Sequence, residues 1–298
     1  MNENAASYEF ISAKKLGMPV QIKAETSDPG MAIINQVITV SKEQEKHCAL
    51  NIDIQAHNTL RLFGCVVQND KPQLMKFAIT DPIWLAKQVI KNTLDKNGIL
   101  LKGHIIDGKT PADATIVASF PSKNLIELIT HMLQESDNLY ASSLYKELAY
   151  SVTGEGTYKQ GSFAIKKILG QHTHLDISQI KLADGSGTRY SLVTPEQVVR
   201  LLTNLHQDKN LQAVFLNALP QAGISGTLKD RMQKTNLAKK IFAKTGTMHD
   251  VSSLSGYLLT PNTKTIIFSI IINGVNEPIS TAKTLEEKIL LLVADEQT

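Results

Sequence analysis

Apolar and polar side chains alternate, or β-branched residues crowd together, in four stretches near the start of the chain, at residues 19–24, 33–40, 49–56 and 60–67. A period of two puts one set of side chains on a buried face, so these stretches predict β-strands. One helix interrupts them. Asp81 can cap it, Pro82 suits the first helical position, and Ile83, Lys87, Ile90 and Leu94 fall on one face, with Gly98 as the stop. Residues 99–106 then return to a strand pattern.

From Ser122 onward the period lengthens to that of a helix. Leu125, Leu128, Ile129 and Met132 make one apolar stripe, and Leu139, Ser143, Leu144 and Leu148 make another after a break at residues 135–138. Thr194 can cap a further helix over 195–205. Strands follow at 238–243, 254–259 and 264–272, and an amphipathic helix over 281–293 closes the chain. The pattern predicts an α+β protein with a strand-rich domain over 1–118 and, over 119–298, a domain of helices, a three-strand meander and a closing helix. The sheet of the second domain is expected to be completed from elsewhere.

Composition narrows the field. Of the 298 residues, 42% are apolar and 20% charged, as in ordinary globular proteins. The net charge is only +3 and aromatics make up 5%, which gives no reason to expect nucleic acid. The longest apolar run, residues 266–272, is strand-sized, so no transmembrane segment is predicted. The first seven residues are polar and acidic and carry no export signal. Cys48 and Cys65 sit on neighbouring predicted strands and can pair only if the register brings them face to face; two buried free thiols are the default expectation. His172 and His174 read as a loop pair and not as metal ligands; neither a metal nor a cofactor is expected.

The Gly-x-Ser-x-Gly elbow, the phosphate-binding loop and His-Glu-x-x-His are all missing from the sequence. Two short motifs remain. Ser136-Asp137-Asn138 lies between two predicted helices, where a hydroxyl and an amide can point into a cleft. Lys244-Thr245-Gly246-Thr247 follows the predicted strand 238–243, with Gly246 letting a ligand approach the backbone. Each alone has an ordinary explanation, a helix cap and a turn. In this order and context they match the second and third motifs of the serine penicillin-recognising enzymes.

The neighbouring sequence sharpens the match. Ser136-Asp-Asn-Leu-Tyr-Ala141, Asp184-Gly-Ser-Gly187, Leu192-Val-Thr-Pro195, Gly226-Thr-Leu-Lys229 with Arg231-Met232, Ala243-Lys-Thr-Gly-Thr247 and Leu254-Ser-Gly-Tyr257 occur in sequence. This run resembles the D-alanyl-D-alanine carboxypeptidase/endopeptidases of the penicillin-binding protein 4 type (class C). The segment from Phe77 to Gly103 resembles that family's inserted domain, and the Asp184 loop is one residue shorter than the family's usual run. A β-lactamase is disfavoured by the strand-rich insertion and the Asp-Gly-Ser-Gly run.

The resemblance implies a β-lactamase/transpeptidase-like domain with a strand-rich insertion, and an acyl-transfer reaction on peptidoglycan stem peptides that β-lactams would trap. It implies that Ser136 relays a proton, Asn138 hydrogen-bonds the substrate amide, and Lys244 supplies positive potential. Thr245 and Thr247 would hold the terminal carboxylate, Gly246 would be a substrate-binding position with them, and the Thr247 N–H would be an oxyanion donor. Intact relatives are periplasmic or otherwise extracytoplasmic.

The nucleophile is the missing part. In the family that this chain resembles, it comes from a Ser-x-x-Lys motif upstream of the insertion, with the serine at a buried helix N-terminus. Four pairs match here: Ser12/Lys15, Ser143/Lys146, Ser178/Lys181 and Ser280/Lys283. Ser12 precedes the helix-breaking 16–19 run, Ser143 is mid-helix, Ser178 has no helix pattern after it, and Ser280 starts the closing helix. The expectation is therefore the C-terminal portion of such an enzyme, starting inside the insertion and inactive alone. The strand over 264–272 is expected to present an unpaired apolar edge, leaving the chain poorly stable or self-associating. Two competing readings are a non-catalytic module that grips stem peptides, and an interaction domain whose motifs are only caps and turns.

Overall fold

Near the start of the chain lie strands β1 (Ala5–Ile11), β2 (Gln21–Ala24), β3 (Ala32–Val40), β4 (Leu50–Gln55), β5 (Thr59–Val67) and β6 (Gln73–Ala78); β2 to β5 fall on the four stretches predicted from the alternation, whereas β1 and β6 are not among those predicted. The computed structural model describes residues 4–26, 30–173, 175–260 and 264–296, and the chain divides into two units, Met1–Val117 and Ala118–Thr298. His174 and the first three residues lie outside the described part.

In the first unit β1 is the centre of an antiparallel sheet ordered β2-β1-β6. A second sheet is ordered β3-β5-β4, with β3 parallel and β4 antiparallel to β5. Alternate residues Ala6, Tyr8 and Phe10 of β1 meet Leu60 and Leu62 of β5, Val37 and Phe77 in one core. The helix α1 (Pro82–Lys96) starts as its sequence dictates: Asp81 Oδ1 accepts the Trp84 N–H at 2.8 Å and Pro82 takes the first position. Its packing residue, however, is Leu85, which lies against the core, whereas Ile83 and Ile90 on the expected face are exposed.

Two further expectations fail in this unit. Cys48 and Cys65 are not free thiols but a disulfide, with Cα atoms 5.5 Å apart. The register brings them together, because β4 pairs with β5 and the Cys65 N–H donates to the Ala49 carbonyl at 3.1 Å. Residues 99–106 form no strand; Leu100 and Ile106 are exposed, and no neighbouring strand among the described residues offers them a ladder. A strand pattern without a partner leaves its backbone groups to water.

The second unit contains helices α2 (Leu125–Glu135), α3 (Asn138–Thr153), α4 (Tyr158–His172), α5 (Pro195–Gln207), α6 (Gln212–Ala218) and α7 (Ile279–Asp295), with strands β7 (Ile241–Met248), β8 (Val251–Leu259) and β9 (Thr265–Asn273). The sheet is an antiparallel meander, β7-β8-β9. Its core joins Ile241, Leu254 and Leu258 to Leu290 of α7 and to Leu228 and Leu237 from the segment before β7. Among the described residues β9 pairs on one side only.

The predicted strand over 238–243 is displaced. Lys239 adopts φ 66°, outside the strand region, so β7 begins at Ile241 and runs on to Met248. Lys244–Thr247 therefore lie inside a paired strand and do not follow its end. His172 ends α4 and is not in a loop. Against α4, Tyr145 of α3 packs where Gly161 leaves room; any side chain at Gly161 would run into the tyrosine ring. Helices α2, α3, α4 and α5 and the residues leading into α5 surround an apolar hollow of about 740 Å³, walled by Ile129, Leu144, Leu148, Ile165 and Val198 among others.

Candidate active site

The corner between α2 and α3 is set by backbone chemistry. The N–H groups of Ser136 and Asp137 both return to the Met132 carbonyl, which forces Ser136 into the left-handed region at φ 55°, ψ 43°. Asp137 then caps α3: its Oδ1 accepts the N–H groups of Leu139 at 2.8 Å and Tyr140 at 3.0 Å. Its Oδ2 lies 3.5 Å from His131 Nε2 of α2. With Asp137 occupied by the cap, the exposed flanking residues Ser136 and Asn138 are presented to the cleft.

From the sheet side, Lys244 Nζ donates to Ser136 Oγ at 2.7 Å and to the Thr245 carbonyl at 2.7 Å. These side chains meet across 108 residues of sequence. Burial pushes the Lys244 ammonium down from its ordinary 10.5 to about 8, because the charged form loses water. Thr245 Oγ1 donates to Thr227 Oγ1 at 2.9 Å. Thr227 reaches that position because Gly226, at φ 54°, packs where a side chain would strike the backbone of Gln134 in α2. Gly246 likewise makes room for the Ser253 hydroxyl of β8.

The N–H of Ala243 bonds to the Pro220 carbonyl on the side of β7 away from β8. Strand alternation turns the Thr247 N–H, four residues on, toward that same edge. The cleft so formed has a volume of about 480 Å³ and is lined by Ser136, Asn138, Lys244, Thr245, Gly246, Thr247 and the 185–188 loop. Asp184 shapes the loop, accepting from the N–H groups of Ser186 at 2.9 Å and Gly187 at 2.8 Å and from Thr188 Oγ1 at 2.6 Å. Desolvation pushes its carboxyl up, but these hydrogen bonds together outweigh that and hold it below the usual range.

All six residues singled out from the sequence thus line one cleft. Of the four Ser-x-x-Lys serines, the three in the second unit do not line it, and Ser12 belongs to the first unit. Ser12 exchanges hydrogen bonds with the Asn69 backbone, Ser143 is mid-helix in α3, Ser178 donates to Asp176, and Ser280 is the second residue of α7. The contributions of Thr227 and Ser253 were not read from the sequence. The signal for the first was Gly226, whose tight approach to α2 delivers Thr227; Ser253 is assigned only by the β7–β8 register, opposite Gly246.

A serine–lysine contact thus joins a helical corner to a strand bearing two threonines in one cleft, and the comparisons give the family. Residues 1–294 match the D-Ala-D-Ala carboxypeptidase 3 (S13) family, and the chain belongs to it. It is similar to D-alanyl-D-alanine carboxypeptidase DacB of Haemophilus influenzae, 26% identical over 95% of this chain and 60% of that protein. D-alanyl-D-alanine carboxypeptidase of Actinomadura sp. is 33% identical over 74% of this chain and 42% of its own length. The crystal structure of penicillin binding protein 4 from Haemophilus influenzae superposes with a TM-score of 0.80 at 26% identity, covering 92% of this chain and 61% of that one. A structure of the same protein complexed with a β-lactam gives a TM-score of 0.79 at 26% identity, covering 92% of this chain and 64% of that one. The fold is thus the expected α+β, transpeptidase-like one. The chain spans about three fifths or less of the length of these relatives. No helix among the described residues is long and apolar enough to cross a membrane.

Proposed function

We propose that this chain carries the peptide-binding side of a serine-type D-Ala-D-Ala carboxypeptidase/endopeptidase acting on peptidoglycan stem peptides. The observation that carries the reading is the 2.7 Å contact from Lys244 Nζ to Ser136 Oγ, which joins the two motifs in one cleft. In the reaction, a serine hydroxyl adds to the carbonyl of the penultimate D-Ala, its proton passing to a basic lysine. The tetrahedral oxyanion takes the Thr247 N–H, and the scissile C–N bond then breaks as Ser136 passes a proton to the leaving nitrogen. Water hydrolyses the acyl-enzyme by the reverse sequence.

The cleft's side chains suit these roles. Lys244 donates to Ser136, which orients that hydroxyl so that its own proton can pass to the leaving group. Asn138 offers an amide to the substrate backbone, and Thr245 and Thr247 offer hydroxyls to its carboxylate. We propose further that none of the chain's own serines is the nucleophile. The serines lining the cleft are Ser136, Ser186 and Ser253, and none has a lysine three residues on. The first unit is read as part of the family's inserted domain and the second as part of its transpeptidase-like domain. The apolar hollow beside α3 and the single-sided pairing of β9 support that reading. By analogy with the relatives, the working protein acts outside the cytoplasm, in the periplasm or at the cell wall. β-lactams are its mimics of substrate, as the complex of the Haemophilus relative suggests.

Calorimetric titration with an N-acylated D-Ala-D-Ala dipeptide, with the L-Ala-L-Ala isomer as control, tests this. Saturable binding of the D,D peptide, weakened in Thr245→Val and not shared by the L,L peptide, is expected; equal behaviour of the two isomers would refute the reading. A second reading, a peptide-binding module without turnover, draws on the same placement of the serines and predicts the same titration.

A further inference from the structure

Strand alternation turns Thr245 and Thr247 to the face of β7 opposite Lys244. There a second hollow of about 260 Å³ opens, walled by Ser136, Thr227, Arg231, Thr245, Thr247 and Lys283. Its lining is four hydroxyls and two cations, a donor set for an anion.

The two cations differ in their commitments. Arg231 Nε donates to Glu287 at 2.7 Å, and its Nη2 donates to Glu286 at 3.1 Å and to the Lys283 carbonyl at 3.1 Å. Glu286 is fully buried and also accepts from Ser252 Oγ at 2.6 Å, so this guanidinium is tied into the join between α7 and the sheet. Two carboxylates on one guanidinium leave a unit of negative charge, so among the lining residues the uncommitted positive charge is the Lys283 ammonium. Lys283 is half-buried, and no described carboxylate lies within ion-pairing distance of its Nζ. It is the cation able to serve an incoming anion without breaking an existing pair.

We propose that Lys283 is the cationic anchor for the C-terminal carboxylate of the bound peptide, seated between its ammonium and the hydroxyls of Thr245 and Thr247. This rests on the peptidase reading above and adds the residue that makes the cleft select a free carboxylate over a neutral chain end. Charge-assisted hydrogen bonds of this kind are worth roughly tenfold or more in affinity.

The test titrates the full chain with an N-acylated D-Ala-D-Ala dipeptide and with the same dipeptide as its C-terminal amide, for the wild type, Lys283→Gln and Lys283→Arg. The wild type is expected to prefer the acid. Lys283→Gln should lose roughly tenfold in affinity for the acid and nothing for the amide, while Lys283→Arg keeps the preference. Equal losses for both ligands, or a preference that survives in Lys283→Gln, would overturn the role of Lys283 and leave the peptide-binding reading standing. A wild type that binds neither ligand overturns both.

Discussion

Lys244 stores a pH dependence that can be worked from its surroundings. Burial lowers its ammonium from 10.5 to about 8. Below about pH 8 the lysine is protonated in the folded and unfolded chains alike, and folding carries the full cost of desolvating the charge. Between about 8 and 10.5 the unfolded chain still holds a proton that the folded chain has released, so stability rises with pH. From pH 7 to pH 9.5 the integrated gain is about 2 kcal/mol. For a unit of this size that corresponds to roughly 4–8 °C in melting temperature. Lys244→Met is the reference, because it cannot titrate while other alkaline effects on the fold persist. The assay is thermal unfolding of both proteins followed by circular dichroism at half-unit pH steps. The wild-type Tm should climb relative to the variant's across that window. Curves that stay parallel would mean that Lys244 keeps its proton as a solvated lysine does, and the argument from burial would be wrong.

Other consequences are local. Asp137→Ala removes the cap of α3 and should cost about 1 kcal/mol in urea unfolding, with Asp137→Asn recovering most of it. Glu286→Gln leaves the Arg231 guanidinium partly unpaired in a buried site and should destabilise by about 3 kcal/mol, read from the same denaturation curves; a change within error would place that pair in solvent. Replacing both Cys48 and Cys65 by serine opens a loop of sequence separation 17 and should cost about 3 kcal/mol in the first unit, visible as a denaturation midpoint that no longer responds to reductant.

What the sequence made legible followed from local chemistry. Asp81-Pro82 announced α1, Thr194-Pro195 announced α5, and both caps accept the expected N–H groups. Ser136-Asp-Asn could be assigned to a helical corner because the apolar stripe breaks there. What escaped depended on partners distant in sequence. Helix α4 packs through Gly161 and Ala164, small residues that carry no apolar stripe. The Cys48–Cys65 pairing is a matter of β4–β5 register. Residues 99–106 have a strand's pattern but no neighbour, and pattern alone cannot supply one. The Arg231–Glu286 pair joins residues 55 apart and became visible only when α7 was seated on the sheet.

The central claim is that this cleft holds the substrate end while none of the chain's serines attacks it. Intact-protein mass after incubating the folded 298-residue chain with a large excess of benzylpenicillin tests that most directly. The account predicts an unchanged mass. A stoichiometric adduct would contradict it, and peptide mapping of that adduct, beginning with Ser12, would name the nucleophile.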